Sequence, residues 1–154
     1  MRLTDYLRSQ RDLTWDYARQ CGVEKGVIRL PETDDFDICD ASHWQSIYKK
    51  FTDFGITPIV IEPMPNALHD HIKAGDEKRD ECIDKVIKMF PIMDRLDIRT
   101  ICFNFMAHVG WCRTSDRIRE GGGALVTGFS MEEYQETDLA ISEEKLWENY
   151  CYFM

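Results

Sequence analysis

Apolar residues are distributed along this chain in two patterns. Short, nearly unbroken runs occur at Val27-Ile28-Arg29-Leu30, Pro58-Ile59-Val60-Ile61 and Thr100-Ile101-Cys102-Phe103. Between them, apolar residues recur every three or four positions. Unbroken runs fit parallel strands buried on both faces, and the second spacing fits helices laid over a sheet. A short strand is expected within residues 1–7, then a helix over about 15–21, capped by Asp12 or Thr14 and stopped by Gly22. A strand over 26–31 and an acidic loop over 32–40 follow. Asp40 then caps a helix with Trp44, Ile47, Tyr48, Phe51 and Phe54 on one face and Gly55 as its stop. The next strand covers 57–63. A loop holding His69 and His71 leads to a helix over about 76–96, striped by Ile83, Val86, Ile87, Phe90, Met93 and Leu96, which Pro91 should kink or split. A strand over 99–106 precedes a connection over 107–141. Ser142 caps a final helix with Glu143 and Glu144 in its first turn and a stripe of Leu146, Trp147, Tyr150 and Phe153. By periodicity, Trp44, Phe51, Phe90 and Met93 are core residues.

Strand and helix alternating in this order give right-handed βαβ units and an α/β fold. About four N-terminal βα units, with parallel strands and outer helices, make a partial (β/α)8 TIM barrel. A full barrel takes ~250 residues, and the chain has 154. The final helix stops at Met154 with no cap, glycine or proline. The reading is therefore the N-terminal half of a single barrel domain, residues 1–154, cut off in its last helix. Four strands would also leave two unpaired sheet edges, so a homo-oligomer that covers them is one option.

Composition narrows the partners. The net charge of −9 argues against a broad nucleic-acid footprint, which needs clustered Lys and Arg. A few local cations still suffice for a small anion. No apolar run reaches membrane length and no signal peptide is evident, so the cytoplasm is the expected compartment. The six cysteines form no C-x-x-C pair, as in a reducing cell interior. Cys102 is read as a small apolar strand residue.

In α/β folds, chemistry sits at the carboxyl ends of parallel strands. Glu62 ends one strand. It is either a general base or the partner of Arg29 in a salt bridge across the mouth. Asn104 ends the next strand and can bond a sugar hydroxyl. Arg113 can clamp a carboxylate in a fork, and Trp111 can stack on a sugar ring or wall a pocket. His69 and His71 at i, i+2 are a weak metal signal, because metal sites need three or four ligands. Gly121-Gly122-Gly123 lacks the features of a phosphate loop and reads as a hinge or lid within a functional connection.

Ile101-Cys102-Phe103-Asn104-Phe105-Met106 and Trp111-x-Arg113-Thr114 resemble the mannonate dehydratase family. The resemblance extends to Val60-Ile61-Glu62, His69-Asp70-His71-Ile72-Lys73, Gly123-Ala124-Leu125 and Ile141-Ser142-Glu143-Glu144-x-Leu146-Trp147. It implies a TIM barrel of the xylose-isomerase-like kind that dehydrates D-mannonate to 2-dehydro-3-deoxy-D-gluconate in hexuronate (glucuronate) catabolism. It also implies Fe²⁺ or Mn²⁺, held by Cys, His and Asp residues of later strands that are not in this chain. His69, Lys73, Asn104, Trp111 and Arg113, with Glu62, stand at positions expected near the sugar-acid substrate. His71 replaces an acid of the family pattern and is not carried over. The alternatives are a sugar isomerase or epimerase on the same scaffold, or a non-catalytic half-barrel that pairs with another chain.

Overall fold

The computed structural model describes residues 3–107, 112–135 and 141–154. Its elements are β1 (Thr4–Leu7), α1 (Leu13–Gln20), β2 (Lys25–Ile28), α2 (Ala41–Asp53), β3 (Thr57–Ile61), α3 (Asn66–Ala74), α4 (Arg79–Arg95), β4 (Thr100–Ile101), β5 (Ser115–Arg119), β6 (Leu125–Gly128) and α5 (Glu143–Phe153). Strands β1 to β4 form one sheet in sequence order, every pair parallel. This is the βαβ succession expected of the first units of a barrel.

The local chemistry explains the helix starts. The Asp12 carboxylate accepts from Thr14 N at 2.9 Å and Asp40 from Ser42 N at 2.7 Å. Ser142 Oγ accepts from Lys145 N at 3.2 Å. Each cap satisfies an amide that has no partner within its helix.

The register lays two rows across the sheet. Leu7, Ile28, Ile61 and Ile101 form one, and Tyr6, Val27, Val60 and Thr100 the next. Side chains alternate along a strand, so neighbouring rows face opposite sides. Leu7, Ile28 and Ile61 are buried in a cluster with Trp15, Ala18, Trp44, Ile47 and Phe51. Within it the Trp15 and Phe51 rings stack at 4.1 Å. In the second row Tyr6 and Thr100 are exposed, and Val27 and Val60 half-buried. The expectation of burial on both faces therefore holds for one face only. The helices cover the Leu7 row, and the Tyr6 row has no such cover.

Several expected elements differ from those observed. Residues 66–74, expected as a loop, form α3, because Leu68, His69, Ile72 and Lys73 make one buried face at i, i+4 spacing. Gly75 ends α3 at φ 67, a backbone region that favours glycine. Pro91 does not split α4. Val86 and Met89 before it, and Ile92 and Met93 after it, are all buried, which outweighs the roughly 3 kcal/mol cost of an interior proline. The buried stripe of α4 is Cys82, Val86, Met89 and Met93. It is rotated from the expected one, so Ile87 and Phe90 are exposed at 55% and 52%. They line an apolar groove with Ile101, Phe103 and Phe153. Strand β4 is two residues long, and Cys102 beyond it is exposed, contrary to its reading as a packed apolar residue. In α5 Trp147 is exposed, and the fully buried residue is Asn149.

The expected loop over 107–141 contains an antiparallel hairpin, β5 with β6. Gly121–Gly123 is its turn, not a hinge in an open loop, with Gly122 at φ 76 and Gly123 at φ 83. These positive values are why glycine occupies the turn.

Candidate functional site

Backbone bonds carry the sheet one residue past its paired rows. Arg29 N donates to Leu7 O at 3.0 Å, Glu62 N to Ile28 O at 2.9 Å and Cys102 N to Ile61 O at 2.8 Å. In a parallel ladder this places Arg8, Arg29, Glu62 and Cys102 side by side at the carboxyl ends of four neighbouring strands. Two cations, a carboxylate and a thiol thus share one rim, where α/β folds hold their ligands.

Glu62 and Cys102 interact directly. Partial desolvation first, then the charge and hydrogen bond of Glu62, raise the Cys102 thiol above its ordinary range. The thiol is thereby kept protonated and able to donate toward the carboxylate. Asn104, two residues on, is half-buried, and its Oδ1 accepts from Met106 N at 3.2 Å, which fixes the amide in a local turn. Arg29 does not make the expected bridge to Glu62. Its guanidinium binds Glu32 at 2.9 Å, and contact with Tyr6 adds to Glu32 in holding it protonated.

His69 and Lys73 lie on α3, beside this rim and buried. The His69 ring meets Phe103 and Phe105 edge-on at 5.4 and 5.8 Å and tilts against Phe153 at 6.3 Å. Burial first, then the Lys73 charge, lowers its pKa to about 4. The imidazole is therefore neutral at physiological pH, and its Nε2 has no hydrogen-bond partner. Lys73 Nζ pairs with Asp70 at 2.8 Å, and the Lys73 carbonyl accepts from Asn149 Nδ2 at 2.9 Å. His71 faces elsewhere and pairs with Asp76 at 2.7 Å. His69 thus packs under Phe103 and Phe105, which flank Asn104 in sequence.

Arg113 sits at the base of the hairpin. Its Nη1 donates to Cys112 O at 2.8 Å and its Nε to Thr127 Oγ1 at 3.3 Å. Trp111 lies outside the described residues. The structure therefore groups Glu62 and Asn104 at the rim, sets His69 and Lys73 behind it, and attaches Arg113 to the hairpin. Arg8, Arg29 and Cys102 at the rim were not singled out as site residues from sequence. The signal for them was available, because each directly follows an apolar strand residue at a strand end. Among the described residues, no three His, Cys, Asp or Glu side chains are placed to hold a metal ion. No helix among them is long and apolar enough to cross a membrane.

The family model described as "D-mannonate dehydratase (UxuA)" matches residues 1–142. The chain is similar to the mannonate dehydratase of Streptococcus agalactiae serotype Ia, with 28% identity over 174 residues, covering 92% of this chain and 48% of that protein. It is also similar to the mannonate dehydratase of Brucella suis biovar 1, with 32% identity over 90 residues, or 58% of this chain and 22% of that one. The crystal structure of mannonate dehydratase from Streptococcus suis serotype 2 matches with TM-score 0.82 at 20% identity, covering 99% of this chain and 48% of that one. The fold is accordingly that of part of an α/β barrel, and the chain spans about half the length of these full-chain matches. The matches favour the dehydratase family over the sugar isomerase or epimerase considered from sequence.

Proposed function

The chain belongs to the D-mannonate dehydratase family, and we propose that it forms the N-terminal half of a barrel that removes water from D-mannonate to give 2-dehydro-3-deoxy-D-gluconate in hexuronate breakdown. The observation that carries this reading is the placement of Glu62, Cys102 and Asn104 together at the ends of adjacent parallel strands, in a chain matched by the family over residues 1–142. Its length is about half that of its relatives, so the complete activity is assigned to a longer polypeptide or assembly. The open edges of β1 and β4 are where further strands, or a second copy, would join.

Dehydration beside a carboxylate takes a proton from carbon and expels hydroxide as water. Glu62 is the group in this chain placed to accept or return a proton, with the Cys102 thiol steadying its carboxylate. The Asn104 amide holds a sugar hydroxyl. The Arg113 fork meets the substrate carboxylate, and Trp111 walls the sugar. His69 stiffens the segment that carries Asn104, and Lys73 lies one helical turn further along α3. Fe²⁺ or Mn²⁺, when bound to the complete protein, would stabilise the enolate charge. The described residues do not themselves fit such an ion, so no step here runs through it. The compartment assigned is the cytoplasm, in keeping with six free cysteines.

The test is a pair of measurements on the 154-residue chain with Mn²⁺ present. We expect D-mannonate to bind in calorimetry and no product to form. Product formation would overturn the half-barrel assignment. Binding that is indifferent to both Glu62→Gln and Asn104→Ala would overturn the site.

A further inference from the structure

Arg8 and Arg29 occupy neighbouring positions at the ends of β1 and β2, one residue beyond the Leu7–Ile28 pair. Like charges facing each other on adjacent strands are destabilising. Here they line a cleft of about 500 Å³ with Lys50 and His43 of α2. That volume falls within the range of small-ligand sites. The convergence occurs in a chain of net charge −9, so it is not a general basic surface.

The two carboxylates in the cleft wall are already engaged. Glu32 binds Arg29 at 2.9 Å. The Asp35 carboxyl is held below its usual range, chiefly by a hydrogen bond from Thr33, with the nearby charges of His43 and Lys50 adding a smaller part. The strand-end backbone is also fixed, since Trp15 Nε1 donates to the Arg8 carbonyl at 3.0 Å. His43 Nδ1 accepts from Asp37 N at 2.8 Å, which leaves its other ring nitrogen as the proton carrier. Among the described residues, neither Arg8 nor Lys50 has a carboxylate oxygen within 4.0 Å of its charged nitrogens.

We propose that this cleft is a binding site for a small anion, a carboxylate or phosphate group, held by Arg8, Arg29 and Lys50 with His43 as a further donor. It is separate from the Glu62–Asn104 part of the rim. The anion adds to Glu32 in offsetting the repulsion between the neighbouring arginines, and it accepts from the Arg8 fork and from the Arg29 donors that Glu32 leaves open. The proposal rests on the sugar-acid reading only for the choice of D-mannonate as one probe.

The experiment is calorimetric titration of the 154-residue chain at pH 7 and low salt with D-mannonate, inorganic phosphate and neutral D-mannose. We expect saturable binding of at least one anion below about 10 mM, silence from D-mannose, and a roughly tenfold loss of anion affinity in Arg8→Gln and in Lys50→Gln. Circular dichroism of both variants checks that they fold. Phosphate alone, or mannonate alone, identifies the source of the anionic group. Absence of saturable anion binding would overturn the cleft, as would unchanged affinity in both variants. Mannonate binding lost in Asn104→Ala but untouched in Arg8→Gln, with no saturable phosphate binding, would sink the cleft and spare the proposed function. The opposite pattern would spare the cleft and sink the assigned rim.

Discussion

Leu7, Ile28 and Ile61 are one step along the same strands from Tyr6, Val27 and Val60, yet the two rows have different environments. Leu7, Ile28 and Ile61 lie under α1 and α2 and are 0–2% exposed. In the second row, Tyr6 is exposed and Val27 and Val60 are only half-buried. Apart from Tyr6 and Thr100 both rows are aliphatic, so hydrophobicity alone does not distinguish Val27 and Val60 from their neighbours. The helices do, because Trp15, Trp44, Ile47 and Phe51 present their apolar stripes to one face. The covered face supports stability, and the strand ends above it are left to carry polar groups.

The largest effect should come from the middle of the covered side. Phe51 is 0% exposed and stacked on Trp15, so Phe51→Ala should cost about 3–5 kcal/mol in urea denaturation. A sharper comparison uses adjacent residues. Ile61→Thr should cost about 2–3 kcal/mol, because it removes buried apolar area and buries a hydroxyl. Val60→Thr should cost less than about 1 kcal/mol. Equal losses at the two positions would break the contrast between the faces.

Acid should act through His69, buried on α3 against Phe103, Phe105 and Phe153. Its folded pKa of about 4 lies below the unfolded value of about 6.5, so the unfolded chain takes up the proton first. The stability it contributes is complete above about pH 6.5 and is lost as pH falls toward 4. Between pH 7.5 and 5 the loss should be about 2 kcal/mol. His69→Phe, which keeps an aromatic ring against Phe103 and Phe105, should flatten that slope. The smallest effect belongs to the rim: Asn104→Ala should leave the denaturation midpoint within error and weaken D-mannonate binding roughly tenfold, about 1.4 kcal/mol.

What could be read from sequence follows from the same physics. Helix α2 was legible because Trp44, Ile47 and Phe51 are apolar at helical spacing and Asp40 and Gly55 mark its ends. Helix α3 was not, because half of its buried face is His69 and Lys73, residues whose burial depends on tertiary partners. The phase of α4 was misjudged because Ile87 and Phe90 are as apolar as Val86 and Met89, so the pattern could not say which stripe meets the sheet. The hairpin was hidden because β5 is largely charged and exposed, and pairs only with β6. At the site, Glu62 and Asn104 were recognisable from their place after apolar runs. The bond from Arg29 to Glu32 instead of Glu62 was not, since it depends on the path of the loop after β2.

The meeting of α5 with α3 has a temporal side. A β-carbon added at Gly75 would lie 2.3 Å from the Asn149 amide, and that amide donates to the Lys73 carbonyl. The two segments are 76 residues apart in the chain. At translation speeds of about 5–20 residues per second, roughly 4–15 s separate their emergence. Through that interval the nascent chain carries an unfinished α3 terminus, with its carbonyl served by solvent alone.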